Sequence, residues 1–250
     1  MINENTMVQS KPGDEWKDSE HAYNNLINDS SKDSAFLRTY GLYDTLTRLI
    51  GDASKHRLLD IGCGNGWLID TVKPEEGYDC DVVRHHDLPN ERNYQYADIK
   101  QHLPYETNFF DITVASLVLL WLDKIDQAVS EIYRVTKPKG KVIISLMHPY
   151  FYRTGEVNKD DDFTVHSDLS KPYHIEDHKI GDVVGPFTYY YRPLNDYINE
   201  FINAGFRVKH LEDWFIDMDK YRQHFVDNNT LAKRRTGKVP MYTFIECSKD

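Results

Sequence analysis

The chain is short of cysteine, of long apolar runs and of positive charge, and each shortage excludes something. Its three cysteines, Cys63, Cys80 and Cys247, are odd in number and not closely paired. No disulfide framework follows from them, and a reducing cytoplasm is the expected compartment. The longest apolar run, Leu117 to Leu122, has six residues, far below the roughly 20 that a membrane helix needs. The first 20 residues are polar and acidic and read as no signal peptide. Lys and Arg number 30 against 40 Asp and Glu, a formal charge of −10. That balance excludes an electrostatic nucleic-acid binder, because phosphate neutralisation needs a concentrated positive surface. Neither nucleic acid nor membrane is an expected partner.

What the chain does hold is aromatic. Seventeen Tyr, 11 Phe and 4 Trp in 250 residues supply large groups for a core or for pocket walls. Residues 1–18 read as a flexible tail and 19–250 as a single domain. Apolar positions between Ser19 and Ile50 recur at helical spacing, which predicts two or three short N-terminal helices. The period then shortens. Arg57–Ile61 predicts a first strand, Asp79–His86 contains a second, Tyr94–Ala97 is a third, Phe110–Ala115 a fourth and Lys141–Leu146 a fifth. Trp67–Val72 and Lys124–Val135 predict intervening helices, the latter with Ile125, Ala128, Val129, Ile132 and Val135 on one face. Strands alternating with helices predict an α/β fold with a parallel sheet.

Residues 147–192 interrupt this rhythm. They hold four His and nine aromatics, and predict an insertion that acts as a lid on the substrate side. A helix over Pro193–Ala204 and closing strands over Phe206–Leu211 and Met241–Cys247 complete the chain.

The informative turn is Gly62-Cys63-Gly64-Asn65-Gly66, directly after the first strand. Glycine allows a tight turn and lets a ligand approach the backbone, and ligands in such sheets sit outside the carboxyl ends of the strands. A dinucleotide fingerprint places its third glycine where this chain has Trp67, and no Gly-Lys-Ser/Thr follows for a nucleoside triphosphate.

Leu58 to Gly66 resembles the first motif of the class I S-adenosylmethionine-dependent methyltransferases. The resemblance continues through Ala97-Asp98-Ile99, Asn108 to Ser116 and Arg134 to Gly140, and so covers about residues 55–146. It implies a Rossmann-like, doubly wound, mostly parallel seven-stranded sheet, with N-terminal helices and the insertion after the fifth strand. It also implies S-adenosylmethionine as cofactor. Backbone at Gly62 and Gly64 would approach the methionine part, and Asp60 would fix the loop and the amino group. Asp98 would face the adenine, Ile99 would pack on its ring, and Ser116 and Leu117 would border the methionine moiety. For the acid on the ribose the choice is Asp87, in His86-Asp87-Leu88-Pro89, with Asp81 and Asp79 as rivals. Only 31 positions, 67 to 97, separate the glycine turn from the third strand, so the second crossover helix is shortened or replaced by a loop.

Methyl transfer to oxygen or nitrogen also needs a proton acceptor, and a histidine suits that at neutral pH. His148, just beyond the fifth strand, is the candidate base and substrate contact, with Tyr152 and Tyr191 of the insertion beside the acceptor. Tyr23 and Tyr40 are candidates to close over the cofactor. No metal is expected, since the cysteines are scattered and His85-His86 lacks matching partners. The reading is a cytoplasmic methyltransferase, monomer or homodimer, acting on a hydroxyl or carboxyl oxygen of a small molecule. A non-catalytic cofactor-binding module and a nicotinamide-dependent oxidoreductase are the alternatives.

Overall fold

Leu58 and Leu59 leave the same strand on opposite sides, and each enters a different core. That is the period-two geometry of a strand covered on both faces. The computed structural model describes residues 16, 25, 33–151, 154–157, 163–165, 170–180, 183–224 and 237–250. The strand in question, β1 (Arg57–Ile61), lies inside a seven-stranded sheet with β2 (Glu76–Asp81), β3 (Tyr94–Tyr96), β4 (Phe110–Ser116), β5 (Thr136–Met147), β10 (Phe206–Trp214) and β11 (Tyr242–Lys249). The order across the sheet is β10-β11-β5-β4-β1-β2-β3. The pairs β1–β2, β1–β4, β2–β3 and β4–β5 are parallel, whereas β11 pairs antiparallel with both β5 and β10. The expected mostly parallel, seven-stranded α/β sheet is therefore the observed one.

Short helices α1 (Asp33–Leu37) and α2 (Asp44–Ile50) flank a π-helical turn, Arg38–Tyr43. They cover one face and bury Phe36, Leu42, Leu46 and Ile50 against Leu58, Val114 and Ile143. The helix α3 (Trp67–Val72) follows the glycine turn. On the other face, α4 (Asp126–Val135) buries Ala128, Val129, Ile132 and Val135, and α5 (Leu194–Asn203) adds Tyr197 and Phe201. Fully burying one such side chain contributes roughly 1.5–3 kcal/mol.

Between β2 and β3 there is no helix, as the short spacing requires. That stretch is held by side chains. Arg84 Nη2 donates to the carbonyl of Pro89 at 2.7 Å, and Tyr94 Oη donates to the carbonyl of Asp81 at 2.9 Å.

The insertion contains two antiparallel pairs. One joins β6 (Thr154–Val157) with β7 (Phe163–Val165), the other β8 (Tyr173–Ile180) with β9 (Val183–Tyr191). Along β9, Tyr189 and Tyr191 alternate inward and join the core under the N-terminal helices. Arg192, 8% exposed, ends this hairpin. It donates from Nη1 to the carbonyl of Leu119 at 3.4 Å and from Nη2 to the carbonyl of Leu122. The two bonds pin both ends of a 3-10 turn, Leu119–Trp121, that follows β4. Among the described residues, no helix is long and apolar enough to cross a membrane.

Candidate active site

Strand β1 ends in the glycine turn, which the neighbouring strand holds in place. Gly62 and Cys63 both donate their N–H to the carbonyl of Cys80, at 2.8 and 3.2 Å. Gly64 donates to Asp81 Oδ2 at 3.0 Å, and Asp81 Oδ1 accepts from Val82 N–H at 2.7 Å. Asp81 thus ties the turn to the end of β2. Gly62 has φ +71° and Gly64 φ +54°, in the left-handed region that favours glycine. Their surroundings differ. A Cβ on Gly62 would meet Val118 Cγ2 at 2.4 Å, whereas one on Gly64 would meet nothing within 4 Å. It would project into open space.

That space is a cavity of about 210 Å³ at the carboxyl ends of the parallel strands. Asp60, Gly62, Gly64, Asp98, Ile99, Ser116 and Leu117 all line it. Of the eight residues that the resemblance assigns to cofactor binding, these seven line the cavity and Asp87 does not. Ser116 Oγ lies 2.9 Å from Ser145 Oγ, and Leu117 N–H donates to the Ser145 carbonyl at 2.9 Å. Leu117 has φ +57°, uncommon for a non-glycine residue. Asp98 is 7% exposed and Oδ1 accepts from Lys100 N–H at 3.0 Å, so it caps a turn and faces the cavity at once. Burial, reinforced by Asp79 and Asp81, pushes the Asp60 carboxyl well above the usual range. Burial likewise raises the thiols of Cys63 and Cys80, which stay neutral.

The exception is Asp87. Strand β2 ends at Asp81, not at His86, and it is Asp81 that lines the cavity. Asp87 lies six residues further on in the loop, with an exposed side chain whose Oδ1 is 3.2 Å from His86 Nε2. Asp79 is fully buried, and Arg92 Nε lies 3.4 Å from its Oδ2. Position along the strand, not parity, separates Asp79 from Asp81. Asp79 and Asp81 share a side of β2, and only the residue at its carboxyl end reaches the cavity.

His148 is not at the cavity either. Its N–H donates to the Met241 carbonyl at 2.8 Å, its Nδ1 accepts from Tyr150 N–H at 3.2 Å, and its Nε2 is 3.7 Å from Asp213 Oδ1. Burial lowers its pKa, opposed by Asp213. The cause of the displacement is strand order. β5 lies two strands from β1, and beyond its end the His148 backbone pairs with Met241, next to β11. Tyr191 is buried and stacks on Tyr173, with centroids 4.6 Å apart and planes 18° apart, so it belongs to the core and not to the cavity. Tyr152 and Tyr23 lie outside the described residues. Tyr40 packs on Phe36 at 4.6 Å.

The aromatic wall comes from residues that the sequence did not single out for it. Tyr43 stacks on Trp67 at 3.8 Å, and Trp121 meets Trp16 edge-on at 5.3 Å. All four line the cavity, together with Arg38. Phe187 of β9 stands behind, 4.5 Å from Trp16 and 5.9 Å from Trp121. The one signal for Trp67 was its place where a dinucleotide turn would have glycine.

His85 and His86 do acquire a partner, contrary to expectation, because Asp87 brings a carboxylate beside them. Ligand atoms of the three lie within 4.8 Å of one another. His85 Nδ1, however, already accepts from Asp87 N–H at 3.1 Å.

With this geometry in view, comparison with known proteins is specific. Residues 59–144 match the family described as "Methyltransferase domain". The chain is 32% identical over 144 residues to the malonyl-[acyl-carrier protein] O-methyltransferase of Serratia marcescens, a match over 50% of this chain and 55% of that protein. It is 31% identical over 90 residues to the mitochondrial arginine-hydroxylase NDUFAF5 of Mus musculus, over 33% of this chain and 26% of that protein. The chain thus spans about half the length of the first of these relatives and about a quarter of the second. A solved structure, the putative S-adenosylmethionine-dependent methyltransferase from Listeria monocytogenes, superposes with a TM-score of 0.66 at 17% identity, over 85% of this chain and 99% of that one. That similarity is one of fold.

Proposed function

We propose that the chain, whose residues 59–144 match the methyltransferase domain family, is a class I S-adenosylmethionine-dependent methyltransferase that transfers a methyl group from that cofactor to an oxygen of a small-molecule acceptor. The observation that carries the reading is Gly64. It opens onto the cavity with no neighbour within 4 Å of its Cβ direction, between Asp81 on one side and Ser116 on the other. A ligand can therefore lie directly against the loop backbone.

The residues fit the cofactor. The Asp81 carboxylate lines the cavity while it accepts from the Gly64, Val82 and Val83 N–H groups, and a charged acceptor at that place suits vicinal hydroxyls. Asp98 offers an acceptor for an exocyclic amine, and Ile99 an apolar surface for a flat ring. When bound, S-adenosylmethionine supplies an activated methyl group that is open to in-line displacement. The protein's work is then to hold the acceptor in line and to exclude water, for which Tyr43, Trp67, Trp16 and Trp121 provide the walls.

Oxygen is the favoured acceptor atom because the Serratia relative is an O-methyltransferase. A carboxylate oxygen suits this cavity in particular, since it carries no proton to be removed and His148 lies elsewhere. Isothermal titration with S-adenosylhomocysteine tests the reading. Saturable binding tighter than about 1 mM, competed by S-adenosylmethionine, is expected. No binding by either ligand overturns it, and tight saturable NADH binding would move the chain to the oxidoreductases.

A further inference from the structure

Beyond β3 the chain carries Asp98 and Ile99 into the cavity wall on a segment, residues 97–105, that is neither helix nor strand. Such a segment has no ladder of its own, so the partners of its backbone groups decide where it lies. Helix α4 supplies them. Gln127 Nε2 donates to the Gln101 carbonyl at 3.3 Å, and Glu131 Oε2 accepts from Leu103 N–H at 2.7 Å. Arg134 donates from Nη2 to the Leu103 carbonyl at 2.9 Å and from Nη1 to the Tyr105 carbonyl at 2.7 Å. Residues 127, 131 and 134 share one stripe of the helix. The stripe is itself locked. Arg134 meets Glu131 fork to fork, Nε to Oε1 at 2.9 Å and Nη2 to Oε2 at 2.7 Å. Glu131 is 5% exposed. Burial opposes its charge, yet the Arg134 guanidinium and the Leu103 N–H hold its carboxyl below the usual range.

The hold reaches the cavity through one short turn. Gln101 N–H donates to the Asp98 carbonyl at 2.8 Å, and Asp98 Oδ1 accepts from Lys100 N–H at 3.0 Å. Gln101, whose own carbonyl is tied to α4, thus closes the turn whose carboxylate faces the cavity. Gln127, Glu131 and Arg134 do not line that cavity themselves. We propose that Glu131, with Arg134 and Gln127, is a positioning residue that makes the cavity select adenine, by fixing where Asp98 and Ile99 stand against the base. A carboxylate accepts from the exocyclic amine of adenine and repels the carbonyl oxygen that hypoxanthine has in its place. A shift of about 1 Å in the acceptor is enough to spoil such a hydrogen bond. This inference rests on the functional reading above, since the base is the cofactor's.

Calorimetry on the purified protein with S-adenosylhomocysteine and its deaminated analogue, S-inosylhomocysteine, tests the assignment. Wild type is expected to prefer the adenine compound about tenfold or more, the scale of a hydrogen bond to a charged group. Glu131→Gln keeps the side chain's shape and removes its charge. It should cut that preference to about threefold or less, with S-inosylhomocysteine itself changing less than about twofold. Gln127→Ala, at an exposed position, should lower the preference about twofold. Asp98→Asn should abolish it alone, and adding Glu131→Gln to that variant should change nothing further. Equal weakening of both ligands in Glu131→Gln, as a merely structural contact would give, overturns the assignment. So does an unchanged preference in both variants. If urea unfolding shows that Glu131→Gln does not fold, Gln127→Ala and Arg134→Lys decide by the same criteria. A wild type that binds both ligands equally overturns this inference and leaves the functional reading standing. One that binds neither overturns both.

Discussion

Tyr43 and Trp67 stack face to face, with ring centroids 3.8 Å apart and planes 24° apart. One residue ends the π turn and the other opens α3, immediately after the glycine loop. The contact therefore joins the N-terminal cover to the loop that a cofactor must approach. It also accounts for the missing third glycine of a dinucleotide turn, because a ring at that position has a partner to pack against.

Removing the ring tests the connection. Tyr43→Ala is expected to lower unfolding stability by about 1–3 kcal/mol, from the lost pair and its buried area. It should also weaken S-adenosylhomocysteine binding, whereas Tyr43→Phe should preserve both. Urea denaturation with and without ligand reads both effects. Equal stabilisation by ligand in Tyr43→Ala and wild type would show that the cover does not take part in binding.

The acid at the end of β2 is open to a direct contest. Asp81 Oδ2 holds the Gly64 N–H and Oδ1 the Val82 N–H. An asparagine has one carbonyl oxygen and can keep only part of this. Asp81→Asn is expected to weaken S-adenosylhomocysteine about tenfold or more, the scale of losing charged hydrogen bonds. Asp87→Asn, at an exposed position, should change affinity less than about twofold. The opposite ranking in a calorimetric titration would return the role to Asp87.

These residues mark where the sequence was legible. The glycine turn could be read because its spacing follows one strand directly, and local backbone demands fix it. Asp98, Ile99, Ser116 and Leu117 could be named only through the family resemblance, whose motifs fall at the carboxyl ends of β3 and β4. Asp81 could not be chosen over Asp87, because a missing crossover helix left the end of β2 without a boundary signal. Arg38 and Tyr43 were hidden by helical phase, since α-helical spacing puts them on different faces and only the π turn unites them. Tyr191 and His148 misled for another reason. Strand parity and strand order, neither of which is local, turned one into the core and the other toward Asp213.

Asp79 gives the protein a pH dependence with a definite sign. It is fully buried, and burial pushes its carboxyl from 3.8 up to about 7, against the opposing pull of Arg92 and Arg84 and with Asp70 and Asp81 adding to the rise. The folded chain thus keeps a proton that the unfolded chain has already lost between about pH 4 and pH 7. The stabilisation is complete below the unfolded value and fades as pH rises through the folded one. Asp60 on β1 shifts in the same direction. Asp79→Asn should therefore gain on the wild type as pH rises from 5 to 8 in urea unfolding. A stability difference between the two that stays constant over that range would refute the assignment.

Arg192 makes the last prediction, because it links the insertion to the cavity. Its guanidinium is 8% exposed and holds the carbonyls of Leu119 and Leu122, the segment that places Trp121 on the cavity wall. Arg192→Met leaves both carbonyls without that donor in a buried setting, at a cost of about 2–4 kcal/mol. Arg192→Lys, with one donor centre in place of the fork, should cost less but still fail to span both ends of the turn. The Trp121 environment should change in step, giving an altered near-ultraviolet circular dichroism signal that Trp121→Phe removes. If Arg192→Met lowers stability yet leaves that signal and S-adenosylhomocysteine affinity as in wild type, the arginine holds the hairpin alone. A changed signal with weakened binding would instead mean that the end of β9 sets the shape of the cavity through two hydrogen bonds.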